Sequence, residues 1–198
     1  MVEIGRVNIL LEVSLLLSHL ALPRIGHLQA VNHIFGYLKQ APKRELYFDP
    51  VSPLIIEDRF QKYDWEELYR NSNEAIPDDM PNPRGKIITM HFFVDANHPA
   101  DKVARRSQTG ILIFCNRSPI LWFSKRHKSV EASTFGSEFT ALKNVVELVT
   151  ALRYKLRIFG VPIHVPTDMF CDNEAVHKNS SMPESVLCKK HHSVAYHK

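Results

Sequence analysis

Residues 86–198 alternate between short β-rich runs and one long amphipathic segment, and this order restricts the fold more than any other feature. The predicted strands are 87–94, 109–115, 119–124 and 169–171. Between the third and fourth strands, apolar residues recur at three- and four-residue steps over 135–156, which predicts a long helix with Ser133 or Thr134 as its N-cap. Three strands, a helix and a fourth strand predict an α/β domain with a mixed sheet.

Three acidic residues stand at the ends of these elements. Asp95 closes the first strand, Asp172 closes the fourth, and Glu138 lies in the first turns of the long helix. A carboxylate at the end of a buried strand is costly unless it is hydrogen-bonded or neutralised by a cation. If the three acids meet, they form an oxygen-rich site for two Mg²⁺ or Mn²⁺ ions, which can activate water and stabilise the leaving oxygen of a phosphodiester. The alternative is that such acids only start turns or open a helix.

Basic residues concentrate beside these acids. Seven Lys and Arg residues against one acid fall within 101–128, whereas eight acids against three bases fall within 51–79. A basic block next to an acidic one predicts a surface for a polyanion, with a merely solvated face as the alternative. The predicted nucleic-acid-binding residues are Arg105, Arg106, Lys125, Arg126 and Lys128.

Residues 1–48 have a helical pattern. The apolar residues of 9–20 share one face of a first helix that Pro23 ends, and a second helix covers 27–40. Two helices without a third layer make a poor domain, so the pair is interpreted as the end of something larger. The apolar stretch 9–22 is too short and too polar to span a bilayer, and no cleavage site follows it. We therefore expect no membrane contact and an intracellular location, cytoplasmic or nuclear, without secretion.

Residues 49–85 form an acidic, proline-rich connector. The spacing of its prolines and its charge predict a tether with a single helical turn near Trp65. The predicted organisation is thus a helical segment 1–48, a connector 49–85 and an α/β domain 86–198.

Five motifs resemble, in order, those of the ribonuclease H region of copia-type retrotransposon Pol polyproteins. They are Phe93-Val94-Asp95-Ala96, Arg105-Arg106-Ser107-Gln108-Thr109-Gly110, Trp122-Phe123-Ser124-Lys125-Arg126, the run from Glu131 to Phe139, and Cys171-Asp172-Asn173. Residues 3–49, with Gly36-Tyr37-Leu38-Lys39, resemble the end of the same family's reverse transcriptase.

This resemblance implies a ribonuclease H-like fold and metal-dependent cleavage of the RNA strand in an RNA–DNA hybrid. On the matching positions Asp95, Glu138 and Asp172 would be the acids that hold Mg²⁺ or Mn²⁺, and Lys125 and Arg126 would lie near the substrate backbone. A hybrid nuclease must sense the 2′-hydroxyl of one strand. The implied partners are an RNA–DNA hybrid and the rest of a Pol polyprotein or reverse transcriptase. No polymerase activity is expected, because nothing before Asp49 offers the paired aspartates of a polymerase site.

The chain departs from the family pattern at three places. Ser193 stands where a fourth acid is common, and a neutral serine is a poor ligand for a hard cation. Residues 97–100, Asn-His-Pro-Ala, replace the usual acid followed by Ala-Gly. The chain stops at Lys198, where a terminal helix is expected to begin, so the domain is interpreted as truncated at its carboxyl end.

Three alternatives to a hybrid nuclease stay open at this point. The first is an inactive remnant of a retroelement that at most binds nucleic acid. The second is a protein-interaction fragment whose amino-terminal helices pair with another chain. The third is a zinc site formed by His177, His191, His192 and His197, although their spacing matches no common motif and no CxxC pair is present.

Overall fold

The structure, a computed structural model, describes residues 5–55, 63–67, 74–98 and 105–182. The helices are a 3-10 turn at Val7–Ile9, α1 at Leu10–Leu17, α2 at Ile25–Gln40, α3 at Thr134–Ile158 and α4 at Glu174–Ser181. The strands are β1 at Met90–Asn97, β2 at Gln108–Cys115, β3 at Ser118–Arg126 and β4 at Asp168–Phe170. They form one mixed sheet in the order β3-β2-β1-β4, with β1 antiparallel to β2 and parallel to β4. The predicted fold class, a mixed sheet with a long helix and a preceding helical segment as in ribonuclease H-like folds, is confirmed.

The core lies between the sheet and α3. Alternate residues of β1 face the helix, because side chains of a strand point to opposite sides in turn. The buried positions on the strand are Met90, Phe92, Val94 and Ala96, and those on the helix are Phe139, Leu142, Val145 and Val149. Burial of each of the larger side chains stabilises the fold by about 1.5–3 kcal/mol. This packing fixes the start of α3 relative to the end of β1.

Two local contacts set the ends of these elements. The Ser133 hydroxyl accepts a hydrogen bond from the Gly136 amide at 3.1 Å and caps α3, as the sequence predicted. β2 and β3 are joined by the two residues Asn116 and Arg117, a tighter hairpin than the four-residue turn predicted. Asn116 has φ 53°, a left-handed conformation that asparagine adopts more readily than most residues. This turn brings the Trp-Phe-Ser-Lys-Arg motif alongside β2.

The helix α1 packs against β3 rather than standing apart from the sheet. The Ser14 hydroxyl donates to the Ser124 carbonyl at 2.8 Å and accepts from the Gln108 amide at 2.7 Å. The second helix keeps large apolar side chains exposed, among them Ile25, Leu28 and Phe35. No helix of the described residues is long and apolar enough to cross a membrane.

Both described ends of the 49–85 segment are attached to the α/β layer. Asp49 pairs with Arg117 at 3.4 Å, and its carbonyl accepts from the Ser118 hydroxyl at 2.9 Å. Near the other end, Glu74 accepts hydrogen bonds from Arg153 at 3.0 Å and from Arg157 at 2.7 Å, both on the last turns of α3. The predicted limits of the segment stay a prediction.

We expect Glu74→Gln to lower the thermal unfolding midpoint at neutral pH and to have little effect near pH 2. The hydrogen bonds from Arg157 and Arg153 lower the Glu74 pKa from 4.5 to about 2. Because the folded pKa is depressed, the stabilisation is complete above the ordinary value and is lost as pH falls through about 2. Thermal scans against pH measure this difference.

The matched control is Glu147→Gln, on the helix α3 that carries the partners of Glu74. Its pair with Lys143 is 3.8 Å long and leaves Glu147 62% exposed, so it contributes at most about 1 kcal/mol. Equal effects of the two variants at neutral pH would contradict the role given to Glu74.

Candidate active site

Asp95 and Asp172 line one cleft of about 550 Å³. The cleft exists because β4 pairs with β1 only from His91 to Phe93, so the edge of β1 is open at Asp95. Asp172 follows β4 by two residues, whereas the sequence predicted that it would close the strand. Both aspartates are exposed, so their carboxylates can rotate toward a ligand in the cleft.

Glu138 approaches the same place from the helix. It lies one turn into α3 and is 9% exposed. Burial is the main reason that its pKa is raised above the ordinary value; the Asn173 side chain lowers it, and the charges of Asp172 and Asp95 raise it further. Its charge and that of Asp172 also raise the pKa of the Cys171 thiol, after the larger effect of burial. The charges of Asp95 and Asp172 thus both act on Glu138, the third predicted acid.

The oxygens of Glu138 differ in their surroundings. Its Oε2 atom is buried and has no hydrogen-bond partner among the described residues. A buried carboxylate oxygen without a hydrogen-bond partner destabilises the folded state, because its hydrogen bonds to water are lost and no protein donor replaces them. A hard cation would satisfy it, and the donor set offered by Glu138, Asp95 and Asp172 consists of oxygen ligands, as Mg²⁺ and Mn²⁺ prefer. The residues therefore fit such an ion.

The acids are nevertheless not gathered as a finished metal site. Among the residues that the structure describes, no three His, Cys, Asp or Glu side chains are close enough to hold an ion as they stand. Side-chain rotation of the exposed aspartates would be needed to close the set around an ion. The exposed carboxylates of Asp95 and Asp172 line the cleft, and the buried carboxyl of Glu138 interacts electrostatically with both.

The predicted basic residues lie on or next to the neighbouring strands, at the same end of the sheet as Asp95. In the sheet Asp95 of β1 pairs with Gly110 of β2, and Gly110 pairs with Ser124 of β3. Lys125 follows Ser124 and therefore lies two strands away from Asp95. Neighbouring strands are about 4.8 Å apart, so the backbone of Lys125 is about 10 Å from that of β1. Arg105, Arg106 and Arg126 lie at the same end of the sheet.

A second cleft, of about 480 Å³, runs between the end of β3 and α3. Lys125, Arg126 and Lys128 line it together with polar residues of the helix such as Thr140 and Asn144. Among the described residues, no acidic side chain lines it. Lys125, Arg126 and Lys128 are thus brought together in space.

The chain is similar in sequence to Pol polyproteins of transposons. It is 22% identical over 192 residues to the retrovirus-related Pol polyprotein from transposon RE1 of Arabidopsis thaliana, an alignment that covers 97% of the chain and 11% of that protein. It is 25% identical over 114 residues to the corresponding protein from transposon RE2, covering 58% of the chain and 8% of that protein. The similarity to transposon Pol polyproteins thus extends over nearly the whole chain.

The chain spans about a tenth of the length of these curated Pol relatives. No protein-family model matches it, and no solved structure gives a significant match. The resemblance predicted from the five motifs is confirmed for Pol polyproteins of transposons. Its assignment to the copia type stays a prediction.

Several residues of this Pol relative have roles that the sequence did not predict. Asn173 interacts with Glu138 while its Oδ1 accepts from the amides of Ala175 and Val176 and so caps α4. The signal was present, because Asn173 completes the Cys-Asp-Asn motif. His98, Ser107 and Ser137 form a hydrogen-bonded cluster beside Glu138, and only their places next to the motifs marked them.

Some predicted features fall outside the described residues. Ser193 does, as do His191, His192 and His197 of the zinc alternative. His177 lies on α4 and is exposed.

Proposed function

We propose that this Pol relative is a ribonuclease H-type nuclease that cleaves the RNA strand of an RNA–DNA hybrid with the help of Mg²⁺ or Mn²⁺. The observation that carries the proposal is the state of Glu138. A buried carboxylate with one oxygen left without a partner, whose pKa is raised by burial and by Asp172 and Asp95, is typical of a cation-binding site. A purely structural acid would have hydrogen-bond donors on both oxygens.

In this proposal Asp95, Glu138 and Asp172 hold the ions. When bound, two such ions supply a nucleophilic water and charge stabilisation for the leaving oxygen. Glu138 is held by the packing of α3 on β1 and provides the fixed side of the site. Asp95 and Asp172 are exposed and adjust to the ions and the substrate. Asn173 orients the Glu138 carboxyl.

The substrate class follows from the charge around this cleft. Arg105, Arg106, Lys125, Arg126 and Lys128 would contact phosphates on either side of the cleaved bond and fix the register without reading base sequence. The resemblance of the five motifs to a ribonuclease H region supports an RNA–DNA hybrid as the nucleic acid. The similarity to transposon Pol polyproteins supports the rest of a polyprotein as a covalent or bound neighbour.

A non-catalytic role in nucleic-acid binding is the second candidate. It is favoured by the finding that, within the described ranges, no three potential ligands stand ready for a metal ion. In that case the predicted basic residues would bind a duplex, and the three acids would have no catalytic role.

Cleavage of a labelled hybrid separates the two candidates. The protein is incubated with an RNA–DNA hybrid, with duplex DNA of the same sequence and with the free RNA, each with Mn²⁺ or with EDTA. The proposal predicts cleavage of the RNA strand in the hybrid alone and only with Mn²⁺. Binding of the hybrid without cleavage in Mn²⁺ would favour the second candidate.

We expect the double change Lys125→Ala with Lys128→Ala to weaken hybrid binding and to reduce its salt dependence. Each lost phosphate contact lowers the slope of log affinity against log salt by about 1. Lys155→Ala is the matched control, because it lies at the far end of α3, about 25 Å from Glu138 along the helix. An unchanged slope in the double variant would show that the phosphates bind elsewhere.

We expect Ser193→Asp to raise the cleavage rate and to lower the Mg²⁺ concentration needed for it. An added carboxylate increases the affinity of an oxygen site for a divalent ion. Mg²⁺ titrations of wild type and variant measure the change. A titration identical to that of the wild type would show that residue 193 does not face the acids.

A further inference from the structure

His98 sits at the centre of a small hydrogen-bonded cluster that the acids do not explain. Its Nδ1 atom is 2.8 Å from the Ser137 hydroxyl and 3.1 Å from the Ser107 hydroxyl. The two hydroxyls are 2.7 Å apart, and both serines are fully buried. The three groups therefore form a closed triangle, in which each contact lies within hydrogen-bond distance.

The triangle joins the elements that carry the acids. His98 follows β1 and stands three residues after Asp95, while Ser137 immediately precedes Glu138 on α3. Ser107 stands before β2, and its carbonyl accepts from the backbone amide of His127 at 2.8 Å, which adds the end of β3. The Ser137 hydroxyl also lies 3.2 Å from the Ser133 carbonyl, to which it can donate within the first turn of the helix.

The hydrogens of the triangle can be counted. With the imidazole protonated at Nδ1, its one hydrogen is shared between the two hydroxyl oxygens, the Ser107 hydroxyl donates to the Ser137 oxygen, and the Ser137 hydroxyl donates to the Ser133 carbonyl. Removal of the imidazole would take from both buried hydroxyls the donor that they share, leaving them only each other and the Ser133 carbonyl. The start of α3 would then shift or open to reach water.

We propose that His98 is a positioning residue for Glu138, tying the first turn of α3 to the end of β1 through Ser107 and Ser137. This inference rests on the proposed function, since it assigns His98 a role in that site. His98 touches neither substrate nor ion. It sets how far Glu138 lies from Asp95, and hence how well the acids share an ion.

Two substitutions of His98 in the full chain test the proposal. Asparagine carries a side-chain amide group at the position of the imidazole Nδ1 and can bond both serines, whereas alanine cannot. His164→Ala is the control, because His164 is exposed and lies beyond the other end of α3. Two properties are measured, the amide hydrogen exchange of residues 136–139 without metal and the affinity for Mn²⁺ by electron paramagnetic resonance.

We expect His98→Ala to speed exchange at 136–139 and to weaken Mn²⁺ binding about tenfold, as loss of a group that orients a metal ligand does. Saturating Mn²⁺ should restore cleavage in His98→Ala. His98→Asn and His164→Ala should resemble the wild type in both measurements.

Unchanged exchange in His98→Ala would overturn the inference whatever the metal does. Faster exchange with unchanged Mn²⁺ affinity would also overturn it, because the triangle would then support only the fold. The inference would likewise fall if His98→Asn behaved like His98→Ala. If the wild type bound Mn²⁺ no better than Asp95→Asn, the proposed function itself would fail, and the exchange data would still report on the triangle.

Discussion

Asp95→Asn is expected to reduce hybrid cleavage more than a hundredfold while the protein keeps its fold. Loss of a group that merely supports a metal ligand already costs about 10- to 100-fold, and Asp95 would be a ligand itself. The amide keeps the shape of the side chain but removes the charge that attracts the ion. The Asp95 side chain is exposed and makes no hydrogen bond to another described residue, so the unfolding midpoint should not fall. Cleavage rates with Mn²⁺ and thermal scans test both parts.

The matched control for this variant is Asp78→Asn. Asp78 is also exposed, but it lies in a turn of the connector. The Asp78→Asn variant should cleave the hybrid at the wild-type rate. If Asp95→Asn cleaved the hybrid at the wild-type rate, the chemistry would lie elsewhere in the protein or in a contaminant.

Glu138→Gln is expected to abolish cleavage and, at the same time, to stabilise the protein in EDTA at neutral pH. The folded pKa of Glu138 is raised, mainly by burial, so the ionised carboxyl costs stability. That cost appears as pH rises through the ordinary value of 4.5 and is complete above the raised folded value. Glutamine carries no charge and escapes the cost. Gains in stability with loss of function are typical of active sites.

The pH dependence distinguishes this effect from an ordinary change in packing. Unfolding free energies of wild type and Glu138→Gln, measured in EDTA, should differ most at neutral pH and converge below pH 4.5, where the wild-type carboxyl is protonated in both states. Glu147→Gln, on the exposed face of α3, provides the baseline. A variant less stable than the wild type at neutral pH would show that the Glu138 carboxylate holds the fold together.

Much of the architecture could be predicted from residue patterns. The β-rich run at 87–94 and the three- and four-residue steps over 135–156 predicted a strand and a long helix, and β1 lies at Met90–Asn97, three residues further along than predicted. The N-cap at Ser133 followed from its hydroxyl and its place before the helix. The helix α4 was foreseen only as an alternative role of Asp172 and Asn173.

Contacts between distant parts of the chain could not be predicted in the same way. Nothing in the sequence shows that Glu74 pairs with Arg153 and Arg157, since the partners are about 80 residues apart and charged side chains are abundant. The same holds for Ser14, which meets β3 across 110 residues. Such pairs depend on the path of the chain, which residue patterns do not encode.

Only part of the site could be predicted, because its geometry also depends on the path of the chain. Asp95, Glu138 and Asp172 could be named because each stands near the end of a predicted element and within a motif, although Asp95 lies inside β1 rather than closing it. Their mutual approach depends on where β4 ends relative to β1, and a strand of three residues has ends that the sequence does not determine. The cluster of His98, Ser107 and Ser137 carried no pattern of its own.

A crystal of the wild-type protein soaked in Mn²⁺ tests the central claim most directly, because anomalous scattering locates the ion. The account predicts an anomalous peak about 2–2.3 Å from carboxylate oxygens of Asp95 and Glu138, with Asp172 turned toward it. Absence of a peak at these residues, in crystals where Mn²⁺ binds elsewhere or not at all, would contradict it.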